Sequence, residues 1–78
     1  MLELYILETC PYCQKVMKFL KENNIEYITH DVSEPENYDA LQKIGQKSQV
    51  PFLYDKDKKL KMYESDDIIE YLKENKQV

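Results

Sequence analysis

The chain has 78 residues, enough for one domain around one core, because chains this short bury only about 60% of their unfolded surface. Eleven basic residues against fifteen acidic ones leave a net charge of −4 with no basic stripe, which argues against a nucleic-acid partner. Apolar runs of only a few residues, and an N-terminus without the basic and long apolar stretches of a signal peptide, predict no membrane association and a cytoplasmic location.

Leu2 to Leu7 is short and almost continuously apolar, the pattern of a central strand buried on both faces. Cys13, Val16, Met17 and Leu20 then recur at helical spacing. Pro11 suits the first turn of that helix, which runs to about Glu22 and is ended by Asn23-Asn24. Ile25 to His30 is rich in β-formers and reads as a second strand. Ser33-Glu34-Pro35-Glu36 has the form of a capping box, so Ser33 is expected to cap a second helix carrying Tyr38, Leu41 and Ile44 on its apolar side. Gly45, the only glycine, is expected to close it in the left-handed conformation. Val50 to Tyr54 reads as a third strand, Asp55 to Lys59 as a turn, and Leu60 to Tyr63 as the returning fourth strand. Ser65 is expected to cap a last helix with Asp66 and Asp67 in its first turn and Ile68, Ile69 and Leu72 inward. The order βαβαββα predicts an α/β fold over residues 1–78: a parallel first pair, an antiparallel hairpin, and one four-stranded mixed sheet with helices on its faces.

Both cysteines lie in Cys10-Pro11-Tyr12-Cys13, between the first strand and the first helix. In a reducing compartment such a pair is more often catalytic or metal-binding than a staple, and a disulfide across so short a loop removes little unfolded-state entropy. A zinc site needs four ligands, and the chain offers two cysteines and one distant histidine, so no metal site is expected. His30 is read as a surface or packing residue. Redox chemistry remains. The positive end of a helix favours the thiolate, the nucleophile of disulfide exchange, in a thiol held there. Lys15 and Lys18 are candidates for added positive potential. Cys13, one turn further on the apolar stripe, is expected to be the less exposed thiol.

CPYC after a short N-terminal strand, Gln49-Val50-Pro51 before the third strand and Ser65-Asp66-Asp67 at the last helix together resemble a glutaredoxin over nearly the whole chain. The resemblance implies a thioredoxin-like fold and a dithiol oxidoreductase that reduces protein disulfides and protein–glutathione mixed disulfides. Glutathione is then the reductant, with no resident cofactor. Cys10 takes the nucleophile's place and Cys13 that of the resolving thiol. Pro51 is expected in a cis peptide bond that turns the backbone of Val50 toward glutathione, and Tyr12 is expected along the tripeptide. Ser65 and Asp66 take the positions of γ-glutamyl contacts, although as local features they are also an ordinary cap and dipole partner.

Two departures stand out. Many family members carry a cation three residues before the nucleophile, where this chain has Leu7; Lys47 or Gln49 is the candidate replacement for binding the glycine carboxylate. A Gly-Gly pair common before the last helix is replaced by Tyr63-Glu64, a change expected to disfavour positive φ. Tyr63-Glu64-Ser65 and QVPFL are also similar to the N-terminal domain of glutathione transferases, which adds Glu64 to the γ-glutamyl contacts. The expected partners are glutathione and client proteins that carry disulfides or glutathione, with the chain a monomer. Two alternatives differ in chemistry: a redox protein reduced by a thioredoxin-reductase-type flavoprotein, or a non-enzymatic carrier of a glutathione-ligated iron–sulfur cluster. Pro11 argues against the carrier, because cluster-binding members tend to have a smaller or less rigid residue there.

Overall fold

β1 (Leu2–Ile6) is the strand on which the structure is built. In the computed structural model, which describes residues 2–75, it lies inside a sheet of order β2-β1-β3-β4. It pairs in parallel with β2 (Tyr27–Asp31) and antiparallel with β3 (Phe52–Asp55), which pairs antiparallel with β4 (Leu60–Tyr63). α1 (Pro11–Glu22) crosses between β1 and β2, α2 (Pro35–Gly45) links β2 to β3, and α3 (Ser65–Asn75) follows β4. The expected α/β order and the four-stranded mixed sheet are both present.

The alternation of β1 divides the core in two. Leu4 and Ile6 face α1 and α3, packing with Cys13, Val16, Leu20, Leu53, Ile68 and Leu72, all fully or almost fully buried. Tyr5 faces the other way, with Leu41 of α2 and Phe52. Each fully buried leucine or phenylalanine here contributes roughly 1.5–3 kcal/mol by leaving water. Two acidic side chains are buried at the strand ends with partners. Asp55 accepts the Tyr71 hydroxyl at 3.2 Å; Glu3 meets His30 Nε2 at 2.9 Å and Lys56 Nζ at 3.0 Å. His30 also packs its ring on Tyr5 at 4.7 Å, so it is a packing residue.

Several boundaries differ from the sequence reading, each for a local reason. The second strand starts at Tyr27, after Asn24 and Ile25 have closed α1: the Ile25 N–H donates to the Leu20 carbonyl and the Asn24 N–H to that of Lys21, with Asn24 at φ 55. This is a Schellman ending that uses up Ile25. Ser33 does not cap α2. Pro35 forces the residue before it out of the helical region, and Glu34 accordingly sits at ψ 128 as the cap. Ser33 instead donates its N–H to Asp31 Oδ1 at 2.9 Å, and that bond, with one from the Ser33 side chain, lowers the Asp31 pKa. Gly45 is the last residue of α2, and Gln46 takes the left-handed position at φ 64. The third strand begins at Phe52, two residues after the expected Val50. Ser65 is the first residue of α3 and not its cap, since the carbonyl of Glu64 receives the Ile68 N–H at 2.9 Å. No helix among the described residues is long and apolar enough to cross a membrane.

Candidate functional site

The register brings three separated segments to one end of the sheet. Tyr5 lies opposite Phe52, and Phe52 opposite Tyr63. The exit of β1 (Leu7 to Cys10), the approach to β3 (Gln49 to Pro51) and the exit of β4 (Glu64 to Asp66) therefore converge. All the expected site residues except Tyr12 and Cys13 belong to these segments, and those two occupy the first turn of α1.

Cys10 holds the N-cap position of α1 in an extended conformation. Its N–H donates to the Leu7 carbonyl at 3.0 Å and its own carbonyl receives the Gln14 N–H at 3.1 Å. Its side chain is half-buried, packed against the core through the same cluster as Val50. Cys13 is wholly buried. Burial pushes the Cys13 thiol up to about 12, a hydrogen bond and the charge of Cys10 push the same way, and a backbone hydrogen bond with Leu7 opposes them. Both cysteines are free thiols. The pair is thus asymmetric, the arrangement that suits thiol–disulfide exchange: one thiol is partly accessible, and burial favours the protonated form of the other.

The Val50–Pro51 peptide bond is cis, with Pro51 buried and Val50 half-buried. Gln49 Nε2 donates to the Glu64 carboxylate at 3.0 Å, which joins two of the expected glutathione residues to each other. Glu64 stands at φ 72, contrary to the expectation that replacing glycine would discourage positive φ. A non-glycine residue held there costs of order 1 kcal/mol or more, which the surrounding structure must offset. Ser65 is buried beside it. Asp66 is exposed and paired with Lys15 Nζ at 2.6 Å, so Lys15 neutralises that carboxylate and spans α1 to α3. Lys18 lines a different feature, an open groove of about 550 Å³ between α1 and β2 that also includes Met17, Lys21, Tyr27 and Thr29. Tyr12 is exposed in the first turn of α1. Among the described residues no group of three or more His, Cys, Asp or Glu side chains is placed to hold a metal ion.

Comparison with known proteins follows the same line. The family described as "Glutathione S-transferase, N-terminal domain" matches residues 4–77. The chain belongs to that family. Among curated proteins, this glutathione-transferase-type domain is 28% identical over 54 residues to an uncharacterised glutaredoxin-like protein in the rubredoxin operon of Clostridium pasteurianum, covering 68% of this chain and 72% of that protein. Among solved structures it superposes on the thioredoxin-like protein BC3987 with a TM-score of 0.81 at 25% identity, over 95% of this chain and 97% of that one. It also superposes on glutathione transferase Omega 3C from Trametes versicolor with a TM-score of 0.81 at 31% identity, over 94% of this chain but 32% of the transferase. The transferase-type domain therefore has a thioredoxin-like fold and glutaredoxin-like relatives, and these relatives support a redox thiol function.

Sequence reasoning missed the ties between segments. Gln49–Glu64, Lys15–Asp66 and the contacts of Tyr63 each join residues far apart in the chain. The lone glycine at position 45 was the one available signal for the last of these.

Proposed function

We propose that this protein is a glutathione-dependent thiol–disulfide oxidoreductase acting on protein disulfides and protein–glutathione mixed disulfides. The observation that carries the reading is the unequal thiol pair at the mouth of α1, Cys10 half-buried and Cys13 enclosed. The Cys10 thiolate attacks one sulfur of the substrate disulfide; a Cys10–substrate disulfide forms and the other sulfur leaves as thiolate. With a protein disulfide, Cys13 after losing its proton attacks the Cys10 sulfur, releases the second substrate thiol and leaves a Cys10–Cys13 disulfide. Two electrons thus pass from the dithiol to the substrate, and two glutathione molecules restore the dithiol as they leave joined as oxidised glutathione. When the group captured on Cys10 is glutathione, an incoming glutathione thiolate attacks the glutathione sulfur instead, forming oxidised glutathione and freeing the Cys10 thiolate.

Val50 and the cis-proline offer the backbone edge to which the cysteinyl part of glutathione would pair, with Tyr12 alongside. Ser65, at the start of α3, suits the γ-glutamyl carboxylate, while Asp66 and Glu64 suit its ammonium. Glutathione is a diffusible reductant on this reading. The chain works as a monomer in a reducing compartment, on client proteins that carry disulfides or glutathione.

A coupled assay with a small glutathione mixed disulfide, glutathione and glutathione reductase tests this. Cys10→Ser should abolish turnover. Cys13→Ser should keep the removal of glutathione and lose reduction of dithiol substrates. Equal residual activity in both variants would refute the assignment of roles. One observation favours a second reading. Lys15 already occupies Asp66, Gln49 occupies Glu64, and Leu7 supplies no cation, so binding glutathione requires opening existing pairs. Reduction by a thioredoxin-reductase-type flavoprotein, with no turnover on glutathione, is the outcome that would select it.

A further inference from the structure

The only glycine of the chain does not use a glycine's conformational freedom. Gly45 is helical, and the left-handed residue is its neighbour Gln46. What the position needs is space. A Cβ on Gly45 would lie 2.1 Å from Tyr63 Oη, 3.1 Å from Tyr63 Cζ and 3.3 Å from Phe52 Cε1. Tyr63 therefore lies directly against the last turn of α2. Its ring is backed by Phe52, with centroids 4.7 Å apart, so it has little room to turn aside.

From this seat Tyr63 reaches the loop between α2 and β3. Its hydroxyl donates to the Lys47 carbonyl at 3.2 Å, and the Lys47 ammonium stands 5.1 Å over its ring. The next two loop residues are tied as well. Ser48 Oγ is bonded by Tyr38 Oη and Gln42 Nε2, each at 3.2 Å, and Gln49 is bonded to Glu64. Lys47, Ser48 and Gln49 are thus each fixed from α2 or from the end of β4, and they lead straight into Val50 and the cis-proline.

We propose that Tyr63 is a positioning residue for the substrate-pairing segment: wedged between Gly45 and the Lys47 carbonyl, it sets the path of residues 47–49 so that the Val50 backbone meets a cysteinyl peptide joined to Cys10. This rests on the oxidoreductase reading above. Tyr63 touches no reacting sulfur; it acts through the loop.

The test compares wild type, Tyr63→Phe, Gly45→Ala and the double variant. Tyr63→Phe keeps the ring against Phe52 and removes only the bond to Lys47. It should raise the KM for a glutathione mixed disulfide about three- to tenfold, the range that loss of one modest hydrogen bond allows. kcat and the rate of Cys10 alkylation should stay unchanged, and backbone NMR order parameters should fall at residues 47–50 while those of the sheet stay as in the wild type. Gly45→Ala should lower the melting temperature, and the double variant should melt above Gly45→Ala alone because the oxygen nearest the new methyl is gone. Unchanged order parameters at 47–50 in Tyr63→Phe would overturn the proposal. So would an unchanged KM in an active enzyme, a matched loss of kcat and stability, or a double variant no more stable than Gly45→Ala. A wild-type chain inert toward glutathione would refute the functional reading instead, and the order-parameter comparison would still decide the role of Tyr63.

Discussion

The burial of Cys13 sets a measurable limit on the second half of the proposed reaction. Once Cys10 is joined to a substrate, release by the internal route requires the Cys13 thiolate. Burial, the largest influence on that thiol, persists in the mixed disulfide, whereas the charge of Cys10 disappears with the new S–S bond. The Cys13 midpoint in the mixed disulfide therefore lies above its ordinary value of 9.0, with about 12 as the value for the dithiol form. At pH 7 the reactive fraction is then below about 1%, and about one in 10⁵ at the upper value. Over the range below the midpoint, the resolving rate should rise about tenfold per pH unit. The assay loads Cys10 with one equivalent of an aromatic disulfide reagent in a stopped-flow instrument and follows release of the coloured thiolate from pH 6 to 9. Capture at Cys10 forms one phase; resolution by Cys13 forms the second, and it should be absent in Cys13→Ser. A second phase that levels off well below pH 9 would refute the reasoning, because it would mean that the enclosed thiol ionises as easily as an exposed one.

Other consequences are open to simpler measurements. Leu53 is fully buried between β1 and β4, so Leu53→Ala should cost about 2–5 kcal/mol by urea titration, a large share of the stability usual for a domain this size. Burial alone would raise the Glu3 pKa, but hydrogen bonds from Lys56 and His30 outweigh it and hold the carboxyl below 4.5. A depressed carboxyl stabilises the fold above its unfolded value and loses that contribution as the pH falls through the folded value. Glu3→Gln should therefore flatten the acid limb of an unfolding profile below about pH 4.5. Since Asp31, not Ser33, organises the start of α2, Asp31→Ala should lower the melting temperature more than Ser33→Ala; the reverse order would reinstate a Ser33 cap.

Features set by neighbours in the chain were legible in the sequence. The apolar run of β1, the stripe of α1 and the charged turn before β4 all depend on local periodicity and punctuation, and all lie within a residue or so of where they were expected. The start of α2 was misjudged although its cause is local: Pro35 excludes Glu34 from the helix, and that outweighs the Ser-x-x-Glu pattern. Gly45 was misread because glycine near a helix end ordinarily signals backbone freedom, whereas here the reason is a tyrosine eighteen residues later. In the candidate site the CPYC pair and the Gln-Val-Pro element were visible as motifs. The pairing of Lys15 with Asp66 and the positive φ of Glu64 were not, because neither leaves a mark on its own segment.

The candidate site lies at one end of the sheet, and the hairpin between β3 and β4 turns at the other. The turn from Lys56 to Lys59 is exposed, closes with a 3.3 Å bond between Lys59 and Lys56, and follows the point where Asp55 faces Leu2 and Leu60. Exposed polar loop tips are where inserted sequence is best tolerated. A fluorophore, an affinity tag or a tethered client peptide placed between Lys58 and Lys59 would be separated by the length of the strands from the thiols. Such a fusion could report on captured partners through trapped Cys10 disulfides while leaving the three converging segments of the site untouched.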